Sequence, residues 1–370
     1  MVFSTAEYKR RISEAVSYLK RLGGDYIVVT PSPNMIYFTG IREETLERLM
    51  ALFINVDGEA LLLAPQLVKL DDYLRDFLDI VVWSDSTGPG PYLDKIVRDL
   101  RIFGRRGFFE DSMRLGDLEF LREKLSPEKI FLLSKITRDL RYRKSVEELT
   151  KIFDAVKKTE KILMDLYNIL VPGVSERFVE MQITNLIASE GLEPSFKPII
   201  AFGENTANPH HRPTNRLLRL GDLVLVDVGV RVEEGYVSDL TRLYMIGTPS
   251  RDLKNIFETY KNCYEETLRS IKANVRASEI DIVSRSCLTD NGLGRYIVHR
   301  TGHGIGVEVH EPPYLSINSD DVLERRVVFT VEPGIYIQGS FGVRVESNIT
   351  ISDDDLVIEI DKLSREIIIY

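Results

Sequence analysis

Residues 223–229 read L-V-L-V-D-V-G, a strand-like alternation that carries Asp227 on the same face as Leu223 and Leu225. An ionised acid on a buried strand face costs several kcal/mol unless something compensates its charge. A chain with this pattern must therefore fold around the compensation. The same difficulty recurs at Asp239 in Y-V-S-D-L-T-R, at Glu332 in V-E-P-G-I-Y and at Glu346 in G-V-R-V-E-S. Either aspartate alone could satisfy a turn or pair with Arg242. Four inward-facing acids, however, repel one another unless a cation lies between them, and two divalent cations bridged by carboxylates would resolve the conflict.

A nitrogen ligand is expected from residues 298–313, V-H-R-T-G-H-G-I-G-V-E-V-H-E-P-P, which hold His299, His303 and His310. The chain has five histidines in all, and the other two, His210 and His211, are adjacent in N-P-H-H-R-P. His303, flanked by Gly302 and Gly304, is the natural metal ligand. Glycines there let the backbone approach a neighbour closely. The G-H-G-I-G run is not a dinucleotide loop, because such a loop opens a helix after a strand and this one runs into two prolines. Mostly oxygen ligands with one imidazole favour Mn, Co or Fe over a thiolate zinc site. Two close metals suit a hydroxide nucleophile with the carbonyl polarised beside it.

At 370 residues the chain exceeds one compact core, so two domains are expected. Its net charge is −9, and no dense Lys/Arg cluster suggests a nucleic-acid face. No apolar run is long enough to span a bilayer, and the N-terminus reads as an amphipathic helix rather than a signal peptide. Cys263 and Cys287, outside any CxxC arrangement, read as two lone thiols of a reducing compartment. A cytoplasmic enzyme that binds neither nucleic acid nor membrane fits these features. Sparse Gln with abundant Arg, Lys and Glu points to a thermophile.

Along residues 1–136 the pattern predicts a helix capped by Ser4 with Tyr8, Ile12, Ala15, Val16 and Leu19 on one stripe. Strands at 26–30 and 35–39 follow, then a hairpin across Asp57-Gly58. Helices near 66–77, 92–102 and 118–125 are expected to alternate with strands at 80–83, 107–110 and 130–133, giving an α/β domain with a mixed sheet and no catalytic constellation. The Arg-rich segment 135–144 reads as the boundary. Over 137–370 two helices followed by strands occur twice: helices 145–170 and 175–190 before strands 198–202, 223–228 and 236–245, then helices 251–273 and 278–290 before strands 327–331, 342–345, 349–351 and 356–360. This suggests an internal duplication with the site between the halves.

The set Asp227, Asp239, His303, Glu332 and Glu346 resembles that of the "pita-bread" metallopeptidases: methionine aminopeptidase, aminopeptidase P and prolidase. D-Y-I-V-V-T-P-S-P-N-M-I-Y-F-T-G is similar to the creatinase-type N-terminal domain of prolidases and aminopeptidases P, so the resemblance covers nearly the whole chain, and prolidase is the nearest match. It implies an α/β (α+β) fold with a creatinase-like domain before a pita-bread domain of pseudo-twofold symmetry. It implies two divalent ions per subunit, Mn or Co first and Fe or Zn as alternatives. Asp239, Glu346, His303 and Glu332 would hold one ion, and Asp227, Asp239 and Glu346 the other. Glu332 would shuttle the proton, while His210 and His310 would bind substrate and stabilise the tetrahedral intermediate. Arg344 would orient Glu346 or grip a substrate carboxylate.

The implied activity is hydrolysis of Xaa-Pro dipeptides through a metal-bridging hydroxide, by a homodimer acting on small peptides. The alternatives are an aminopeptidase P acting on longer peptides and an inactive peptide-binding module on the same fold. Two departures stand out. Asp227 and Asp239 are one residue further apart than is usual for the family, consistent with a longer turn at 233–235. And Tyr314 stands where some prolidases carry an arginine near the product carboxylate, which leaves strict dipeptide preference open.

Overall fold

The computed structural model describes residues 3–43 and 45–369. By internal contacts the chain divides into two units, 1–141 and 142–370.

The first unit opens with α1 (Thr5–Arg21), whose cap Ser4 accepts the Glu7 N–H and whose expected apolar stripe is buried. Six strands follow: β1 (Tyr26–Val29), β2 (Ala51–Asn55), β3 (Ala60–Pro65), β4 (Asp79–Trp83), β5 (Arg106–Phe109) and β6 (Lys129–Leu132). They form one mixed sheet in the order β4-β3-β2-β1-β5-β6. Pairs β1–β2 and β2–β3 are antiparallel, whereas β3–β4, β1–β5 and β5–β6 are parallel. Helices α3 (Gly90–Asp99) and α4 (Leu115–Leu125) supply Leu93, Ile96, Leu121 and Leu125 to the core on this sheet.

Three expectations for this unit fail. Residues 35–39 are not a strand but part of α2 (Pro33–Thr39), capped by the Ser32 hydroxyl with proline in the first turn, the arrangement that favours helix initiation. The buried Glu110 carboxylate fixes that end further, accepting hydrogen bonds from Ser32 Oγ at 2.8 Å and Asn34 Nδ2 at 3.0 Å. Residues 66–77 hold only a 3-10 turn (Asp72–Asp76) instead of a helix. The boundary segment 135–144, for which no element was expected, is largely helical: α5 (Ser134–Tyr142) buries Ile136, Thr137, Leu140 and Arg141 and exposes Arg138.

The second unit begins with α6 (Val146–Asp165), closed at its start by a reciprocal Ser145–Glu148 capping box. This helix gives way to a 3-10 turn (Leu166–Asn168) before the Pro172-Gly173 break. After α7 (Glu176–Ser189) come β7 (Glu193–Pro194), β8 (Ile199–Phe202), β9 (Leu223–Val228), β10 (Val230–Arg231) and β11 (Leu240–Met245). The strand expected over 236–245 thus starts four residues late. The second half has α8 (Arg251–Ser270) and α9 (Ala277–Asp290), then β12 (Gly302–Gly304), β13 (Glu311–Leu315), β14 (Val328–Val331), β15 (Gly334–Ile337), β16 (Phe341–Arg344), β17 (Ser347–Ile351), β18 (Val357–Glu359) and β19 (Ile368–Ile369). Each half builds a sheet behind a helix pair, β11-β9-β8 with the C-terminal β19 added at its edge, and β13-β12-β14-β17-β18, while β15-β16 and β10-β7 are separate ribbons. The expected duplication is therefore visible as architecture.

The two cysteines are not lone thiols. Cys263 on α8 and Cys287 on α9 form a disulfide, with Cα atoms 5.5 Å apart. Spacing along the chain cannot reveal a bond made by two helices packed side by side, and the cysteine argument for a reducing compartment falls with it. No helix among the described residues is long and apolar enough to cross a membrane.

Candidate metal centre

Asp227 is carried by β9, which pairs with β11 in antiparallel register. Of the four acids only Asp227 lies inside a strand. Asp239 immediately precedes β11, Glu332 follows β14, and Glu346 sits between β16 and β17. Strand ends can aim a carboxylate without breaking a ladder, and the surrounding hydrogen bonds fix each one. Asn348 Nδ2 donates to the Asp239 carbonyl at 2.7 Å, and the Glu346 N–H donates to Thr241 O at 3.1 Å, joining the two halves beside the acids. From α8, Tyr260 donates to Pro333 O at 2.7 Å and accepts the Val345 N–H at 2.8 Å, clamping the residues next to Glu332 and Glu346.

His303 lies on β12 between two glycines that must be glycines. A Cβ on Gly302 would stand 2.0 Å from Thr330 O, and one on Gly304 2.3 Å from Pro312 O. His303 Nδ1 is 3.1 Å from Gly304 O. A carbonyl can only accept, so Nδ1 carries a proton, and Nε2 faces the acids. Nε2 is 3.2 Å from Glu332, 3.7 Å from Asp239 and 3.9 Å from Glu346.

Three of the carboxylate oxygens, Asp227 Oδ1, Asp239 Oδ1 and Glu346 Oε1, are buried without a hydrogen-bond partner. Buried acceptors left unpaired are costly. Burial, followed by repulsion from Glu346, Asp227 and Glu332, pushes the Asp239 carboxyl well above its ordinary range. Burial and the charges of Glu332 and Asp227 do the same to Glu346. Burial would raise Glu332 too, but its hydrogen bond and charge interaction with His303 prevail and bring it to about 2. Ligand atoms of Asp227, Asp239 and Glu346, of His303, Glu332 and Glu346, and of Asp239, His303 and His310 converge closely enough to hold an ion. The donor set thus fits divalent cations: hard oxygens, one imidazole and unsatisfied negative charge.

The five predicted ligands come together in one cavity of about 870 Å³, whose lining also includes His210, His211, His299, Arg300, His310 and Arg344. His310, exposed at the cavity edge, packs its ring against His303 with centroids 4.2 Å apart. Desolvation and the neighbouring His303 and Arg300 lower His310 to about 4, so it is neutral near pH 7. His210 is exposed on the cavity wall. His211 is turned away, its Nε2 2.9 Å from the buried Glu176.

Arg344 reaches Glu346 through Thr241, whose hydroxyl donates to Glu346 Oε2 at 2.9 Å. The Arg344 Nη2 donates to Asp227 Oδ2 at 2.6 Å, its Nη1 to Tyr336 Oη at 2.6 Å and its Nε to Thr241 Oγ1 at 3.1 Å. With all three nitrogens engaged, it is built into the wall as the partner of Asp227. Arg242, considered above as a partner for the aspartates, pairs instead with Asp361. Sequence reasoning gave no role to His299 or Tyr336. Tyr336 Oη is 2.8 Å from His299 Nε2, so His299, Tyr336, Arg344 and Asp227 form one hydrogen-bonded chain. The tyrosine of E-P-G-I-Y and the first histidine of V-H-R-T-G-H were the available signals.

The comparisons agree with this architecture. Residues 150–353 match the metallopeptidase family M24, and residues 11–143 match the creatinase/prolidase N-terminal domain. The chain belongs to the metallopeptidase family M24 and is a metal-dependent peptidase with the pita-bread fold. It is 31% identical to a probable dipeptidase PepE of Mycobacterium bovis, over 99% of this chain and 98% of that protein. A dipeptidase structure from Pyrococcus horikoshii superposes with a TM-score of 0.91 at 33% identity, covering 97% of this chain and 100% of the other. A prolidase structure from Thermococcus sibiricus superposes with a TM-score of 0.89, also at 33% identity, covering 98% and 99%.

Proposed function

We propose that this chain hydrolyses the Xaa-Pro bond of dipeptides with two divalent ions. Asp227, Asp239 and Glu346 would hold one ion, and Asp239, Glu346, His303 and Glu332 the other. The observation that carries the reading is the trio of buried, unpartnered carboxylate oxygens on Asp227, Asp239 and Glu346, the last of them 3.9 Å from the His303 imidazole. The ions, when bound, supply a nucleophile at neutral pH and polarise the scissile carbonyl.

The residues around them divide the remaining work. Glu332, which lines the cavity, takes the proton of the attacking water and returns it to the leaving proline nitrogen. His310, neutral near pH 7, donates a hydrogen bond to the oxygen on which charge develops, and His210 contacts substrate from the opposite wall. Arg344 holds the Asp227 side chain in place through its 2.6 Å hydrogen bond to Oδ2. Proline has no amide hydrogen and a fixed ring, so a site that acts on the carbonyl and the chain ends suits it better than one that grips an extended backbone.

Mn or Co as the ions, a cytoplasmic location and a homodimer complete the proposal. The Cys263–Cys287 disulfide is compatible with that location if the source is hyperthermophilic, since intracellular proteins of such organisms carry disulfides.

Turnover of Ala-Pro beside Ala-Pro-Ala, with Mn or Co added, tests the reading. Higher kcat/KM on Ala-Pro is expected. Faster cleavage of the tripeptide would make the enzyme an aminopeptidase P, and a metal-loaded protein inert to both would be a peptide-binding module. His310→Ala should retain both ions and lose about 100-fold in kcat, the size expected for removing one donor to the intermediate. Loss of metal in step with activity would make His310 a ligand instead.

A further inference from the structure

The loop between β8 and β9 carries His210 to the cavity wall, and one side chain outside the cavity sets its course. Glu176, the first residue of α7, is fully buried. Its Oε1 accepts hydrogen bonds from Phe202 N at 2.9 Å and Asn205 Nδ2 at 2.8 Å. Its Oε2 accepts from Thr214 N at 2.8 Å and Thr214 Oγ1 at 2.6 Å, and lies 2.9 Å from His211 Nε2. The carboxylate therefore grips both ends of the segment 202–214 and the residue next to His210. Burial would raise the Glu176 carboxyl, but hydrogen bonds from Thr214, Asn205 and His211 prevail and hold it below its ordinary value. An ionised carboxylate can only accept, so His211 Nε2 is the donor.

His211 thus turns inward while its neighbour His210 is exposed on the cavity wall. Asn208 shapes the backbone between them: its Oδ1 accepts the His210 N–H at 3.2 Å, and its carbonyl accepts the His211 N–H at 3.2 Å. The second half of the unit repeats the device. Glu311, next to His310, turns inward to the buried Lys144 at 2.7 Å. In both loops a histidine of the cavity is followed by a residue held on a buried charge. Hydrogen bonds to a charged carboxylate are about twice as strong as neutral ones. A displacement of about 1 Å in a group that meets substrate costs on the order of 100-fold in rate. Glu176 controls the placement of His210 without lining the cavity.

We propose that Glu176, acting through His211, is a positioning residue for the reaction, fixing the loop so that His210 meets the substrate. The proposal rests on the reading of His210 as a substrate contact, and it extends the working site to the start of α7.

The test measures kcat/KM in metal-loaded Glu176→Gln, His211→Leu and His211→Gln, each alone and combined with His210→Ala. The substrate is Ala-Pro, or Ala-Pro-Ala if wild type cleaves it faster. Glu176→Gln should lose about 100-fold. His211→Leu leaves Phe202, Asn205 and Thr214 on the carboxylate and should lose roughly tenfold. His211→Gln restores a donor to Glu176 and should recover most of that loss. Bound metal should stay at the wild-type level throughout. In the His210→Ala background Glu176→Gln and His211→Leu should each cost less than about threefold, because residues that act as a unit are not additive. Hydrogen exchange in Glu176→Gln should rise across 202–214 and stay unchanged across 305–311, a pattern that global destabilisation does not give. Losses as large with His210→Ala as without it, metal content that falls with activity, or exchange that rises equally in both loops would overturn the assignment alone. A His210→Ala variant with wild-type turnover removes His210 from the substrate site and this assignment with it. A wild type inert to both peptides overturns the Xaa-Pro reading as well.

Discussion

Asp239→Asn should abolish peptide hydrolysis, with kcat reduced at least ~10³-fold, beyond the usual cost of a single oxyanion donor. Asp239 belongs to the convergent group with Asp227 and Glu346 and stands 3.7 Å from His303 Nε2, so its charge is shared by both proposed ion positions. A neutral amide balances neither. The same substitution removes a buried carboxylate that repels Glu346, Asp227 and Glu332. The metal-free variant should therefore melt no lower than the metal-free wild type. Activity and stability are expected to separate, which calorimetry beside turnover would register. A variant retaining two tightly bound ions and near-normal turnover would remove the dimetal assignment.

The second large effect concerns stability. Arg242 is fully buried and Asp361 is 1% exposed. Arg242 pairs with Asp361 and donates to Glu346 O at 2.6 Å, while Asp361 also accepts from Asn348 N at 2.9 Å and Ser347 Oγ at 3.1 Å. Arg242→Met strands the Asp361 charge in the interior and should destabilise the second unit by ~3–5 kcal/mol. Replacing both members, Arg242→Met with Asp361→Leu, should recover most of that loss, because an intact buried pair contributes little net stability over an apolar replacement. Urea midpoints of the single and double variants measure both quantities. A single-variant loss below about 1 kcal/mol would show that the buried charge is satisfied some other way.

The metal centre was legible because its residues break a rule. Asp227 on an apolar strand is an anomaly that sequence alone displays, and Asp239, Glu332 and Glu346 read the same way in sequence although they stand at strand ends, so their convergence could be inferred before any coordinates. Their partners could not. Asp227 is 117 positions from Arg344, which holds it, and nothing local distinguishes that arginine from Arg242, which holds Asp361 instead.

The fold errors share this cause. Residues 35–39 have the aromatic, apolar content of a strand, yet Ser32, Pro33 and a distant Glu110 make the segment a helix. Residues 135–144 read as a polar, Arg-rich boundary segment, and the helix there rests on the burial of one face of α5. Cys263 and Cys287 are brought together only by the packing of α8 on α9. The pattern of charge against hydrophobicity was readable, whereas pairings between remote residues needed the structure.

Anomalous diffraction from crystals of the Mn-loaded protein would locate the two ions proposed for this carboxylate cluster. Two peaks per chain are expected about 3.5–4 Å apart, one among Asp227, Asp239 and Glu346 and one among Asp239, His303, Glu332 and Glu346. A single peak, or two peaks away from these side chains, would contradict the dimetal centre.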